Sequence, residues 1–129
     1  MDIKEKVTFW VENAEYDLQT AEAMHNSGRY AYTAFMCQQT LEKIIKGIYL
    51  QNHKTESPRS HNLSYLIGLL DLDIPDNFIP LLAELSTFYL EGRYPTYKEK
   101  MSQLINSDKS RIFLSLTKEA FKWLKSQII

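Results

Sequence analysis

The sequence predicts an all-α protein, an antiparallel up-and-down bundle of four to five helices. Apolar residues recur at helical spacing in every long segment, and no segment combines strict alternation with enrichment in β-branched residues. The 129 residues suffice for one hydrophobic core, and the chain contains no linker, internal repeat or low-complexity tract. Residues 1–129 are therefore expected to form a single helical domain.

Composition and charge argue against several classes of protein. The chain is 44% apolar and 24% charged, and its formal net charge of −1 provides no general attraction for nucleic acid. No signal peptide and no membrane-spanning apolar run are evident, so a cytoplasmic location without membrane contact is expected. The single cysteine, Cys37, excludes an internal disulfide, and its place on an apolar helix side predicts a small buried residue.

The first two helices are predicted to form an antiparallel hairpin. Apolar residues repeat from Ile3 to Asn26, and Gly28 has the position of a left-handed residue that ends a helix. The next helix, Tyr30–Gln51, contains no proline and is apolar on more than one side, which is typical of the central helix of a bundle. Because the connection is short, the two helices should pack side by side.

Three further helices are predicted in the rest of the chain. Ser60 or His61 is placed to cap a short helix over residues 63–70. A longer helix covers residues 78–89, with Pro80 in its first turn, where a missing N–H costs little. The last helix covers residues 109–127, after an irregular stretch around Tyr94-Pro95. Its basic side is interpreted as a solvated face, and consists of Arg111, Lys118, Lys122 and Lys125.

Common catalytic and metal-binding patterns are absent, apart from one incomplete match. Glu22-x-x-His25 has the spacing of a carboxylate–histidine ligand pair on a helix, but a bundle metal site needs a second such motif and two further glutamates. The four glycines are isolated and form no phosphate loop, and no nucleophile motif is present. We therefore expect neither a metal nor a cofactor.

Two polar groups remain as candidate sites. The first lies between the apolar sides of the central helix and consists of Gln38, Gln39, Glu42, Lys43 and Lys46, with Asp17 as a supporting residue. Buried polar groups need partners, so this group supports a network or lines a site, unless Glu42 and Lys46 form a simple surface pair.

The second group combines an arginine with aromatic rings, which can bind a phosphate and stack a base, unless the arginine only pins a loop. It consists of Tyr89, Arg93, Tyr94 and Tyr97.

Several of these residues belong to an ordered set of motifs. The set comprises Trp10, Ala14, Asp17-Leu18, Ala21, Gly28-Arg29-Tyr30, Phe35, Gln38-Gln39-x-x-Glu42-Lys43-x-x-Lys46, His61-Asn62-Leu63-x-x-Leu66 and Arg93-Tyr94-Pro95. From Val7 to Tyr97 it resembles the HEPN domain family, in the branch that carries an Arg-Tyr-Pro motif. The resemblance implies a helical bundle that forms a homodimer and works beside a minimal nucleotidyltransferase. It also adds His61 to the candidate nucleotide- or RNA-binding residues.

The resemblance leaves three functions open. The favoured one is a nucleotide- or RNA-binding partner of a minimal nucleotidyltransferase in a two-component, toxin–antitoxin-like system. The second is a divergent, metal-independent ribonuclease that uses Arg93 with His61 or Tyr97. Ribonucleases of the family place a histidine four to six residues after an arginine, whereas the positions after Arg93 hold Tyr97, Lys98 and Glu99. Since histidine titrates near neutral pH and tyrosine near pH ~10, cleavage by the family's usual route is not expected. The third is a purely structural dimerisation module.

Overall fold

A computed structural model of the chain describes residues 1–91 and 105–129, and of residues 89–91 it describes the backbone alone. Every regular secondary-structure element in this part of the chain is a helix, which confirms the predicted fold class. Its elements are α1 (Ile3–Asn26), α2 (Tyr30–His53), α3 (Leu63–Gly68), a 3₁₀ turn (Asp76–Phe78), α4 (Ile79–Glu91) and α5 (Ser107–Lys125). No helix within the described ranges is long and apolar enough to cross a bilayer.

The first two helices form the predicted antiparallel hairpin. Gly28 adopts a left-handed φ of 79° in the turn between them, where a side chain would be strained. Trp10 of α1 packs against Gly47 near the far end of α2, whereas the rings of His25 and Tyr30 lie 5.6 Å apart beside the turn. The two helices therefore run in opposite directions and contact each other along their length.

The second helix is the centre of the bundle, as its multi-sided apolar pattern predicts. It packs against each of the other four helices in the described part of the chain. Its fully buried apolar side chains include Cys37, Leu41, Ile44, Ile45 and Ile48. The helix continues two residues beyond the predicted end, and it stops at Lys54, whose left-handed φ of 61° prevents further helical hydrogen bonding.

The last helix lies antiparallel to α1 and presents a charged, exposed side. Lys118 and Lys125 form ion pairs with Glu22 and Glu15 of α1, and each of the four side chains remains between 38% and 52% exposed. This arrangement agrees with the interpretation of the basic side as a solvated face. The helix begins two residues earlier than predicted because the side chain of Asn106 accepts a hydrogen bond from the N–H of Lys109 and caps the first turn.

The short third helix is tied to α4. Its N-cap is Asn62, not Ser60 or His61, because the Asn62 side chain accepts a hydrogen bond from the Tyr65 N–H at 3.2 Å. The N–H of Leu63 donates to the hydroxyl of Ser86 in α4 at 2.8 Å. This contact satisfies a backbone donor that helix geometry leaves unpaired, and it places the loop before α3 against the bundle.

Candidate functional site

Glu42 is the centre of a polar network inside the bundle. Its carboxylate is only 7% exposed, and both oxygens accept hydrogen bonds. Oε1 accepts from the Nδ1 of His61 at 2.8 Å and from the side-chain amide of Gln38 at 3.0 Å. Oε2 lies 3.1 Å from the ammonium group of Lys46. A buried carboxylate needs such donors, since an unpaired charge in this position would be costly.

The two glutamines extend this network to the backbone of the loop before α3. The amide of Gln38, a fully buried residue, also donates to the carbonyl oxygen of His61 at 3.0 Å. Gln39 in turn donates to the side-chain oxygen of Gln38 at 2.7 Å. Gln38 therefore uses both N–H groups and its oxygen, and it holds the His61 backbone while Glu42 holds the ring.

The interpretation of Glu42 and Lys46 as a surface pair is wrong. Their four-residue spacing is the same for exposed and buried pairs, and here the side chains are 7% and 12% exposed. Glu42 also hydrogen-bonds to His61 in the loop before α3. The alternative, that this side of α2 supports a polar network, is the one that the structure confirms.

Asp17 and Lys43 form a separate ion pair on the α1 side of the central helix. The Lys43 ammonium group lies 2.5 Å from Oδ2 of Asp17, whose side chain is 9% exposed. Neither residue hydrogen-bonds to the Glu42 group within the described contacts. Asp17 thus supports the polar side of α2 through Lys43, and the five predicted residues of this helix divide into two groups.

A groove lies beside His61, between the loop before α3 and the outer side of α4. Its volume is about 540 Å³, which is large enough for a small organic ligand. Besides His61, it is lined by Ser60, Asn62, Ser64, Ala83, Ser86 and Thr87. The His61 side chain is 42% exposed, so it connects the buried carboxylate of Glu42 with the open surface.

The second predicted group lies almost entirely outside the described residues. Arg93, Tyr94 and Tyr97 lie outside the described residues, and Tyr89 is described only as part of the α4 backbone. The Arg-Tyr-Pro motif and phosphate binding by Arg93 therefore stay predictions.

The Glu22 and His25 pair is engaged elsewhere, since Glu22 pairs with Lys118 and His25 hydrogen-bonds to Ser110 at 2.8 Å. No group of three metal-ligating side chains occurs in residues 1–88 and 105–129, whose side chains the structure describes.

The cysteine is chemically shielded. Cys37 is fully buried, and burial raises the pKa of its thiol from 9.0 to about 12. The neighbouring Thr117 hydroxyl and the Lys118 charge act in the opposite direction but do not outweigh burial. A thiol in this state is not a nucleophile near neutral pH, so Cys37 is a core residue, as predicted.

Five polar residues of the groove wall were not predicted as site residues: Ser60, Asn62, Ser64, Ser86 and Thr87. Of these, Ser86 also links α4 to α3. A signal was present for Ser86, because a serine among the apolar residues of a helix needs a local partner. Its hydroxyl donates to the Leu82 carbonyl at 2.7 Å while it accepts from Leu63.

The fold and the site together define a class, a small helical bundle with a buried polar network behind a polar groove. The chain belongs to the HEPN domain family, whose model matches residues 7–127. The match includes the segment beyond Tyr97 that the motifs do not cover. It confirms the family resemblance, and no curated protein sequence matches the chain.

Two solved structures share the fold over nearly their whole length. A crystal structure of a protein from Thermus thermophilus has a TM-score of 0.82 at 22% sequence identity, covering 95% of this chain and 98% of that one. The crystal structure of an archaeal HEPN homologue has a TM-score of 0.76 at 25% identity, covering 96% and 98%. The described helices therefore have the arrangement found in these relatives.

Proposed function

We propose that the chain is a nucleotide- or RNA-binding HEPN module that works as the partner of a minimal nucleotidyltransferase in a two-component, toxin–antitoxin-like system. The observation that carries the binding part is the position of His61. Its Nδ1 is fixed by a buried carboxylate at 2.8 Å, and its side chain borders an open groove. A ligand-binding side chain held by a supporting shell loses little freedom on binding, which favours affinity.

Support for the partner comes from the family and from the surface. The family association with minimal nucleotidyltransferases is the basis for proposing that class of protein. Phe9, Tyr16 and Ile112 are large apolar side chains that are between 53% and 70% exposed. Such side chains are suited to protein contacts, with a second copy of the chain or with the nucleotidyltransferase.

Equilibrium binding of fluorescent nucleotides and short RNAs tests the proposal. We expect saturable binding that His61→Ala weakens by at least about tenfold, the scale of one lost hydrogen bond to a charged or polar ligand group. His53→Ala is the matched control, because His53 is an exposed histidine at the far end of α2 that stacks on Tyr49. Absence of binding, or equal losses in the two variants, would contradict the proposal.

The partner part of the proposal is tested by co-expression with a minimal nucleotidyltransferase whose reading frame lies beside that of this chain. We expect the two proteins to purify together and to give a defined complex by light scattering. If no such reading frame lies beside this one, or if the two proteins elute separately at micromolar concentration, the partner part of the proposal is wrong. The binding part would be unaffected by that result.

One observation favours the ribonuclease as a second candidate. A carboxylate only accepts hydrogen bonds, so the His61 Nδ1 must donate to Glu42, and Nε2 then carries the ring's basic lone pair in the neutral form. This is the tautomer of a general base. Incubation with structured RNA and a chelator tests it: cleavage that His61→Ala abolishes and His53→Ala preserves would favour the enzyme, and intact RNA would exclude it.

A further inference from the structure

We infer that the groove beside His61 binds the nucleoside part of the ligand, its base and sugar, and does not bind phosphate. This inference rests on the proposed nucleotide binding and deepens it. Its basis is the chemistry of the described groove wall. Apart from His61, every lining side chain is an uncharged amide, hydroxyl or methyl group.

The charges behind the groove cancel each other. The Glu42 carboxylate is paired with the Lys46 ammonium group at 3.1 Å, and both side chains are largely buried. The His61 ring directs its Nδ1 at this carboxylate, so a negative charge lies behind the one titratable side chain of the described wall. Phosphate binding requires a net positive potential or several charged donors, and the described wall supplies neither.

The groove does supply groups for a neutral polar ligand. Asn62 uses its Oδ1 to cap α3, so its Nδ2 group remains for a ligand within the described contacts. The Ser64 hydroxyl is on an exposed residue of the same wall. Together with the exposed part of His61 they offer donors and acceptors of the kind that base edges and sugar hydroxyls require. A volume of about 540 Å³ accommodates a nucleoside.

Calorimetric titration with adenosine, AMP and ATP provides the first test. Because every described lining side chain apart from His61 is uncharged, adenosine alone should bind saturably, and raising the salt from about 50 to about 300 mM should change its affinity by less than about threefold. Binding of AMP and ATP without any binding of adenosine, or adenosine that does not compete with AMP, would overturn the inference.

A pair of isosteric variants gives a second test that does not disturb the network. Ala83 is an exposed residue of α4 in the groove wall, and both Glu and Gln are compatible with a helix. If the nucleoside occupies the groove, Ala83→Glu and Ala83→Gln should have the same ratio of ATP to adenosine affinity within about twofold. If phosphate lies there, the added carboxylate should lower that ratio by at least about tenfold relative to the amide.

The two proposals fail in different ways. Tight binding of ATP or RNA that adenosine cannot reproduce would leave the nucleotide-binding function standing and would contradict the nucleoside groove. Failure of all three ligands and of RNA to bind would contradict the function itself. Adenosine binding that does not respond to His61→Ala would place the nucleoside elsewhere and would also overturn the inference. Circular dichroism of each variant checks that the fold is intact.

Discussion

The Nδ1 atom of His61 lies 2.8 Å from Oε1 of Glu42. His61 is in the loop before α3, and Glu42 is in the middle of the central helix, so this contact fixes the loop to the core. Gln38, one turn earlier, reinforces it by donating to the same carboxylate oxygen and to the His61 backbone. Two side chains of one helix therefore set both the ring and the backbone position of a surface histidine.

Removal of the Glu42 charge should destabilise the fold. In Glu42→Gln, the Lys46 ammonium group would be left largely buried without a carboxylate, which should lower the free energy of unfolding by about 3 kcal/mol. Glu22→Gln is the matched control, because the exposed Glu22–Lys118 pair should contribute at most about 1 kcal/mol. Urea unfolding of the three proteins measures the difference. Similar small losses in both variants would show that the Glu42 charge is solvated.

Close contact between the first two helices should make Gly47 intolerant of a side chain. A Cβ atom at this position would lie 3.1 Å from the Cβ of Trp10, which cannot move without a shift of α1. We expect Gly47→Ala to lower stability by about 1–2 kcal/mol, although alanine favours helix by about 1 kcal/mol. Gly68→Ala meets no atom within 4 Å and should be neutral or stabilising. Thermal melts of both variants decide this, and a more stable Gly47→Ala protein would contradict the packing.

The buried thiol predicts a specific dependence of stability on pH. Between pH 9.0 and about 12 the unfolded thiol of Cys37 is ionised while the folded thiol keeps its proton, because burial raises its pKa. The unfolded state then binds fewer protons, so the free energy of unfolding should fall as pH rises above 9.0, by up to about 1.4 kcal/mol per pH unit. Below 9.0 this contribution is constant.

Comparison with Cys37→Ala isolates this effect from other groups that titrate in alkali. The unfolding free energy of the cysteine form minus that of Cys37→Ala should be constant below pH 9.0 and should fall above it. Native Cys37 should also resist thiol reagents at neutral pH and react after unfolding in urea. Rapid labelling of the native protein would show that the thiol is accessible.

The exposed apolar side chains and the family resemblance both predict self-association. We expect a homodimer in solution, with a mass of twice 15.1 kDa by light scattering at micromolar concentration. Ile112→Lys and Phe9→Lys place a charge on two separate exposed apolar positions, on α5 and α1. The variant that dissociates the dimer identifies the face that forms it, and a monomer mass for the unaltered protein would contradict the prediction.

The fold was predictable because it depends on patterns that are local in sequence. The apolar residues of α2 surround the helix, which identifies it as central, and Gly28 marks the turn of the hairpin. Helix ends were less predictable, since a cap depends on backbone geometry. Ser60, His61 and Asn62 all precede α3, but the capping residue is Asn62, which has extended φ and ψ angles and a side chain directed to the first turn.

The polar residues of the α2 network were predictable, but their pairings were not. The polar positions of α2 indicate that partners must exist, and the structure provides them. It places Lys43 with Asp17 and Glu42 with His61, which are 26 and 19 residues apart. Such pairings depend on how the helices and loops pack, and a helical repeat does not determine this. The groove beside His61 likewise requires α3 and α4 to meet.

The central claim, that the groove beside His61 is the binding site, is tested most directly by nuclear magnetic resonance. Adenosine monophosphate would be titrated into the ¹⁵N-labelled protein, and the shifts of backbone amides would be followed. We expect shifts centred on Asn62, Ser64 and Thr87 in the groove, with the amides of Lys118 and Lys122 on α5 unchanged. Shifts confined to the basic side of α5, or none at millimolar ligand, would contradict it.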